Sequence, residues 1–200
     1  RGTKVRFKPD PQIFGAKAAF KPERLFKMAR SKAYLYGGVE IRWHCAPEML
    51  EGSDIPENAT FHFAEGLKDY LAASMASATL VHPDIFTGSS GKTGRHGAVE
   101  WAVAWSADTD GFLNSYCNTI PTPDGGTHEA GLRSALLRGL KDHAARVGKE
   151  KQAASITSED VMTGVGCMLS VFVREPEFQG QTKDRLATAA AQKIVENAIK

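Results

Sequence analysis

Gln181 and Lys183 stand two positions apart in the stretch Pro176-Glu177-Phe178-Gln179-Gly180-Gln181-Thr182-Lys183. A carboxamide and an ammonium on a long stem, both donors, carried by a glycine-containing loop, can grip the oxygens of a phosphate. A charge-assisted hydrogen bond of that kind contributes about 1.5–3 kcal/mol. Such a contact can bias a hinge between two domains, but it does not set up a reaction by itself. For a generic Gln-x-Lys the plainer reading is two exposed polar side chains on a turn.

Arg133 is the second anomaly. On a helical wheel it falls among Leu136, Leu137 and Leu140, on the face that should be buried. One reading is a snorkelling arginine paired with Glu129, four residues earlier. The other is a guanidinium displayed into a cavity that holds DNA phosphates. Arg138, Lys141 and Arg146 fall on other faces of the same helix and read as solvated surface. Gly88-Ser89-Ser90-Gly91-Lys92-Thr93 imitates a phosphate-binding P-loop, but Phe86 stands where the first glycine belongs and a strand follows where a helix should open. Residues 87–97 therefore read as a flexible surface loop. The histidines do not cluster at ligand spacing. His44 could meet His62 across strands, yet no metal site is expected. Cys45, Cys117 and Cys167 are odd in number and scattered, which predicts reduced thiols in a cytoplasmic protein.

Several elements can position these groups. Thr3-Lys4-Val5-Arg6-Phe7 alternates as a strand does, and Leu25, Met28, Ala29 and Ala33 form a helical stripe after Pro22. Val39-Glu40-Ile41-Arg42-Trp43 predicts the next strand. The polar stretch 47–58 is the best candidate for a domain boundary. A short strand at 60–63 precedes a helix marked by Leu67, Tyr70, Leu71, Met75 and Ala78. Val99, Trp101, Val103 and Trp105 share one face of a strand, with which 112–118 is expected to pair. Thr127 suits the N-cap of a long helix striped by Leu132, Leu136, Leu137, Leu140 and Ala144. Thr157 with Asp160 fits a capping box. The apolar run 168–173 predicts a last strand, and a last helix is expected from about Asp184. Strands and helices mix without strict alternation, which predicts an α+β fold.

With 200 residues, 42% hydrophobic and 24% charged, the chain can bury one good core or two small ones. No apolar run approaches the roughly 20 residues of a membrane span. The net charge of +2 does not argue for nucleic acid without local clustering. The chain opens on Arg1 and runs in helical pattern into Lys200, so a piece of a longer polypeptide is expected.

Taken together, Gly2-Thr3-Lys4-Val5-Arg6-Phe7 with Pro9-Asp10, Gly38-Val39-Glu40-Ile41, Phe63-Ala64-Glu65-Gly66-Leu67, Asn118-Thr119-Ile120-Pro121-Thr122 with Asp124-Gly125-Gly126-Thr127-His128-Glu129-Ala130-Gly131-Leu132-Arg133, and the Gln181–Lys183 loop resemble the ATPase subunit of bacterial type IIA DNA topoisomerases. That family comprises gyrase B and its topoisomerase IV counterpart, the ParE type. The resemblance covers essentially the whole chain. It implies that residues 1–55 are the tail of a GHKL ATPase domain. Residues 56–186 are then a transducer domain similar to ribosomal protein S5 domain 2, and 187–200 begin a helical arm toward the DNA gate. Thr3 is then expected near the adenine, Gln181 and Lys183 at the γ-phosphate as the catalytic and cofactor-contacting residues, and Arg133 in the DNA cavity. The whole protein is expected to use ATP and Mg2+, to act on double-stranded DNA with the DNA-cleaving partner subunit, to dimerise through a region upstream, and to work in the bacterial cytoplasm at the nucleoid. The family's catalytic glutamate, magnesium-binding asparagine and ATP lid have no counterpart here, so this chain alone is expected to hydrolyse nothing and to hold no cofactor. Leu132, where gyrase usually has phenylalanine, favours the topoisomerase IV type over gyrase B. A non-catalytic S5-like nucleic-acid-binding module is the alternative from another class.

Overall fold

A computed structural model describes residues 2–15, 18–92 and 95–199. Its elements are α1 (Pro11–Phe14), α2 (Pro22–Leu35), β1 (Glu40–His44), β2 (Asn58–His62), α3 (Leu67–Ser74), β3 (Phe86–Ser90), β4 (Val99–Trp105), β5 (Phe112–Cys117), β6 (Ile120–Pro121), α4 (Thr127–Arg146), α5 (Glu150–Ala153), α6 (Ser158–Met162), β7 (Val165–Val171), β8 (Phe178–Gln179), β9 (Arg185–Leu186) and α7 (Ala189–Ala198). A short 3₁₀ turn at Pro47–Met49 lies between β1 and β2.

The framework is a five-stranded sheet in the order β3-β4-β7-β5-β6. β7 is buried at every position and takes the centre, antiparallel to β4 and parallel to β5. This corrects the expected pairing of 112–118 with β4. A continuous apolar strand needs cover on both faces and a partner on both edges, so β7 is inserted between the two. Parallel strands need a crossover, and the chain from β5 to β7 supplies one that contains α4.

The pleat sends Val165, Cys167, Leu169 and Val171 to one face, with Val99 and Val103 of β4. Leu132 and Ala135 of α4 and Ala191 and Val195 of α7 cover them. Met168, Ala102 and Ala104 face the other way, onto Leu67, Leu71 and Met75. The β4 alternation is therefore as expected. The buried side of α4 is not: it runs through His128, Gly131, Leu132 and Ala135, and Leu140 is 40% exposed. The helix is turned so that Gly131 meets α7. A Cβ there would lie 2.4 Å from the Gln192 carbonyl oxygen.

Other expectations are corrected as well. Thr3 to Phe7 form no strand, and Val5 and Phe7 are 77% and 74% exposed. Alternation supplies a pattern of side chains, but a strand exists only where a neighbour completes its ladder, and none of the described strands pairs with this segment. Residues 87–90, expected in a loop, form most of β3 against β4. Thr93 and Gly94 of that segment lie outside the described residues. α3 ends at Ser74, short of Ala78. The N-cap of α4 is Gly126, with Thr127 inside the helix. The last helix begins at Ala189 rather than near Asp184, because 178–186 fold into a two-stranded ribbon. The capping box of Thr157 and Asp160 is complete.

β1 and β2 pair antiparallel, Ile41 opposite Phe61 and Trp43 opposite Ala59, and α2 packs on both. The hairpin thus closes over residues 45–57, so most of the polar stretch is its loop and Asn58 is already in β2. His44 faces Asn58 and His62 faces Glu40, so the two histidines stand at opposite ends of it.

The close crossing of α4 and α7 makes a testable demand. Gly131→Ala should lower stability by about 1–3 kcal/mol through overpacking, measured as a lower urea midpoint. Gly139→Ala in the same helix, with nothing within 4 Å of its Cβ, should be neutral or slightly stabilising. Equal midpoints for the two variants would refute the crossing.

Candidate functional site

The loop that carries Gln181 and Lys183 is the tip of the β8–β9 ribbon, not a strand-to-helix junction. Phe178 pairs with Leu186 and Gln179 with Arg185, leaving residues 180–184 to turn the chain. Gly180 and Lys183 take positive φ, 75° and 62°, which a turn this tight requires. Gln181 and Lys183 are both exposed. The Lys183 ammonium lies 6.0 Å from the Phe178 ring centroid, and no ion pair joins it to a carboxylate among the described residues.

The base of the ribbon, by contrast, is fixed at several points. The Asp124 N–H donates to the Asp184 carbonyl (3.0 Å) and the Leu186 N–H to the Gly125 carbonyl (3.0 Å). The Arg185 guanidinium donates to the Asp124 carbonyl (2.8 Å). Gly126 bridges directly to Leu186, and its φ of 142° with a Cβ position 2.2 Å from the Leu186 oxygen excludes any side chain. Thr127 donates to the Thr188 carbonyl (2.7 Å), and the Thr188 hydroxyl accepts from the Glu177 N–H (2.8 Å). The two motifs singled out in the sequence, Gly125-Gly126-Thr127 and Gln181-x-Lys183, are thus seat and ribbon of one device.

Beneath the seat lies a buried polar chain that sequence reasoning missed. The Ser115 hydroxyl donates to Glu129 (2.6 Å) and meets the Thr122 hydroxyl (2.6 Å), which in turn faces His128 Nε2 (3.0 Å). His128 is fully buried, and its Nδ1 has no partner among the described residues. Burial holds the imidazole down at about 4. Burial pushes the Glu129 carboxyl up, opposed by the Ser115 hydrogen bond and by the charges of Arg133 and Arg185. Ser115, Thr122, His128 and Glu129 are scattered over fifteen positions of the chain with no shared period, which gives no hint that the four of them meet.

Arg133 is half-buried one turn beyond Glu129, close enough to act on it electrostatically. Arg138 donates to the Glu196 carbonyl near the end of α7 (3.1 Å) and Lys141 to Ala154 (3.2 Å), so these two cations brace the fold rather than merely meet solvent. Thr3 is exposed in the irregular segment before α1, and no hydrogen bond, ion pair or ring contact ties it to the ribbon among the described residues.

Two donors without a hydrogen-bond partner among the described residues, at the end of a ribbon fixed at its base, suit the oxygens of a nucleotide's terminal phosphate, so the donor set fits that group. Among the described residues no group of three or more His, Cys, Asp or Glu could hold a metal ion, and no helix is long and apolar enough to cross a membrane.

Comparison with known proteins identifies the family and the fold. The family model described as DNA gyrase B matches residues 66–200. The chain belongs to that family. The B-subunit of DNA topoisomerase 4 from Bartonella bacilliformis is 56% identical over the full chain, which spans 29% of that protein's length. The 43K ATPase domain of Thermus thermophilus gyrase B, solved with an aminocoumarin, is 26% identical with a TM-score of 0.78, over 96% of this chain and 50% of that one. A topoisomerase IV ATP-binding domain of Francisella tularensis, solved with a small-molecule inhibitor, is 25% identical with a TM-score of 0.72, over 94% and 48%. The α+β arrangement is the one these domains share.

The buried imidazole sets a pH dependence. Its protonation is favoured in the unfolded chain, at about 6.5, and resisted in the fold down to about 4. The stability that depends on keeping His128 neutral is therefore fully present above about pH 6.5 and declines as pH falls toward 4, by on the order of 3 kcal/mol. Glu129 acts with the opposite sign, since acidification relieves its buried charge. Urea midpoints of the wild type should fall across this window, and those of His128→Leu should fall much less. Parallel pH profiles for the two would show that His128 is not the group responsible.

Proposed function

We propose that this chain is the coupling segment of an ATP-dependent type II DNA topoisomerase subunit, of the topoisomerase IV type. The observation that carries the reading is a ribbon locked at its base onto the Gly125-Gly126 turn while Gln181 and Lys183 stand exposed at its tip. Residues 1–55 are the tail of the nucleotide-binding domain, 56–186 the transducer, and 187–200 the start of the arm; the β1–β2 hairpin is the joint between the first two. ATP bound with Mg2+ supplies a terminal phosphoryl whose charge is present before hydrolysis and gone after it. Lys183 and Gln181 hold that group from the transducer side, and Thr3 lies toward the adenine. When the contact is made, the ribbon is drawn toward the nucleotide; because its base is fixed, the turn and α4 must follow as one body. Arg133, on α4, faces the cavity through which double-stranded DNA passes. The DNA-cleaving subunit is the partner, in the bacterial cytoplasm. Names carried by similar proteins support the topoisomerase IV type.

Two variants of the full-length subunit, assayed with its partner subunit, test this. Lys183→Ala should reduce ATP turnover and strand passage by about ten- to a hundredfold, the loss of one charge-assisted bond. Unchanged values for both would remove the phosphate-contacting role. Arg133→Gln should lower DNA-stimulated ATP hydrolysis and strand passage while basal nucleotide binding persists. Normal DNA transport would return Arg133 to its role beside Glu129.

A further inference from the structure

The last turn of α2 grips a turn of the sheet that lies far away in sequence. Lys32 Nζ donates to both the Thr119 carbonyl and the Thr119 hydroxyl, each at 2.6 Å. Lys32 is half-buried, and burial lowers its affinity for the proton. Its neighbours join the same grip. The Ser31 hydroxyl interacts with Tyr116, Tyr116 donates to the Tyr70 hydroxyl (3.4 Å), and Tyr36 packs against Phe172 (6.3 Å).

The gripped turn is itself unusual. Asn118 and Thr119 have φ of 49° and 65°, both left-handed and neither glycine. Asparagine tolerates this region, but a β-branched threonine does so only when its surroundings hold it there. The Lys32 ammonium, satisfied by two oxygens of that residue, is such a hold.

Two short paths lead from this turn to the ribbon. On one, the Asn118 carboxamide brackets Val173, donating to its carbonyl (2.8 Å) and accepting from its N–H (2.9 Å), at the exit of β7 just before the chain enters the ribbon. On the other, β6 leads to Thr122 and so to Asp124, Gly125 and Gly126, the seat of the ribbon's return strand. Both attachments of the ribbon start from the turn that Lys32 holds.

We propose that Lys32 is a positioning residue for the phosphate-sensing ribbon: by clamping the Asn118–Thr119 turn to α2 it fixes the ribbon's angle to the nucleotide-binding side, so that movement of Lys183 is converted into DNA transport rather than dissipated at the joint. This rests on the function proposed above. Lys183 makes the contact, and Lys32 makes the contact count mechanically.

The experiment uses the full-length subunit with its partner, and measures strand-passage events per ATP hydrolysed, the KM for ATP, and the melting temperature. Lys32→Met keeps the stem and removes the ammonium. Lys32→Arg restores a donor, and Thr119→Ala removes only the hydroxyl acceptor. Passage per ATP should fall about tenfold in Lys32→Met, with the KM unchanged, should recover in Lys32→Arg, and should fall partway in Thr119→Ala. An unchanged ratio in Lys32→Met overturns the proposal. So does a loss that follows a fall in melting temperature and is not restored by arginine. If Lys32→Met does not fold, the ratio in Thr119→Ala decides in the same way. Lys183→Ala is run alongside. If it is silent, the phosphate-contacting role fails on its own account; if it is impaired while Lys32→Met stays coupled, only the clamp is wrong.

Discussion

The architecture depends on the absence of a side chain at Gly126. The Leu186 oxygen occupies the place where a Cβ would stand, so the strand leaving the ribbon can lie directly on the turn that opens α4. Every downstream relation uses this contact. It lets Leu186 enter the core with Leu132 and Val195, and lets the Thr188 carbonyl reach the Thr127 hydroxyl. It also starts α7 at the angle that brings Gln192 over Gly131. Two glycines, one at each end of the same face, allow backbones to approach where ordinary side chains would hold them apart. The base of the ribbon, α4 and α7 are therefore packed and bonded to one another, while the ribbon's tip remains in solvent.

Rigidity at this seat is reinforced by polar groups rather than by hydrophobic packing alone. Ser115, Thr122, His128 and Glu129 connect β5, the turn after β6 and the first turn of α4. A network of this kind costs desolvation, and here the cost is visible: the imidazole is kept neutral and the carboxyl is raised. What it provides is direction. Apolar contacts tolerate sliding, whereas hydrogen bonds of 2.6–3.0 Å across three elements fix the orientation of the Gly125-Gly126 turn. The charges of Arg133 on α4 and Arg185 on β9 both act on Glu129, which ties the network electrostatically to the helix and to the ribbon.

What the sequence revealed of this arrangement followed the range of the interactions. The β4 alternation, the apolar run of β7 and the Thr157–Asp160 box depend on neighbours within a few residues, and the structure has all three, with the strand of the apolar run at Val165–Val171 instead of 168–173 and followed by β8 and β9. The ribbon was hidden because strands of two residues have no period to detect. The place of β5 was hidden for a different reason. A short connection suggests a hairpin, and only the need of β7 for two partners overrides it. Thr3 to Phe7 alternate without a paired strand, showing that pattern alone does not make a ladder. The Gln181–Lys183 pair was legible as a donor set, yet its rigidity was not, because Asp124 and Gly126 lie about sixty residues away. Lys32 and Thr119 are more remote still, and an ordinary lysine near a helix end gives no sign of a partner across the molecule.

The balance between fixed and free parts bears on how a single charge can move a domain. A lysine on a flexible loop can bind a phosphate and transmit nothing, because the loop absorbs the displacement. A lysine on a fully packed element cannot respond at all. Here 180–183 are exposed while the chain on both sides of them is bonded to the body of the fold, so compliance is confined to a few positions. Force applied at the Lys183 ammonium enters the structure at Asp184 and Leu186 and passes through backbone bonds to the α4 turn. Its reaction must be borne where α2 meets the sheet, at the Asn118–Thr119 turn, which is held on one side by Lys32 and on the other by Val173. A lever needs a stiff arm and a fixed pivot; the glycine seat gives the first and the strained turn gives the second.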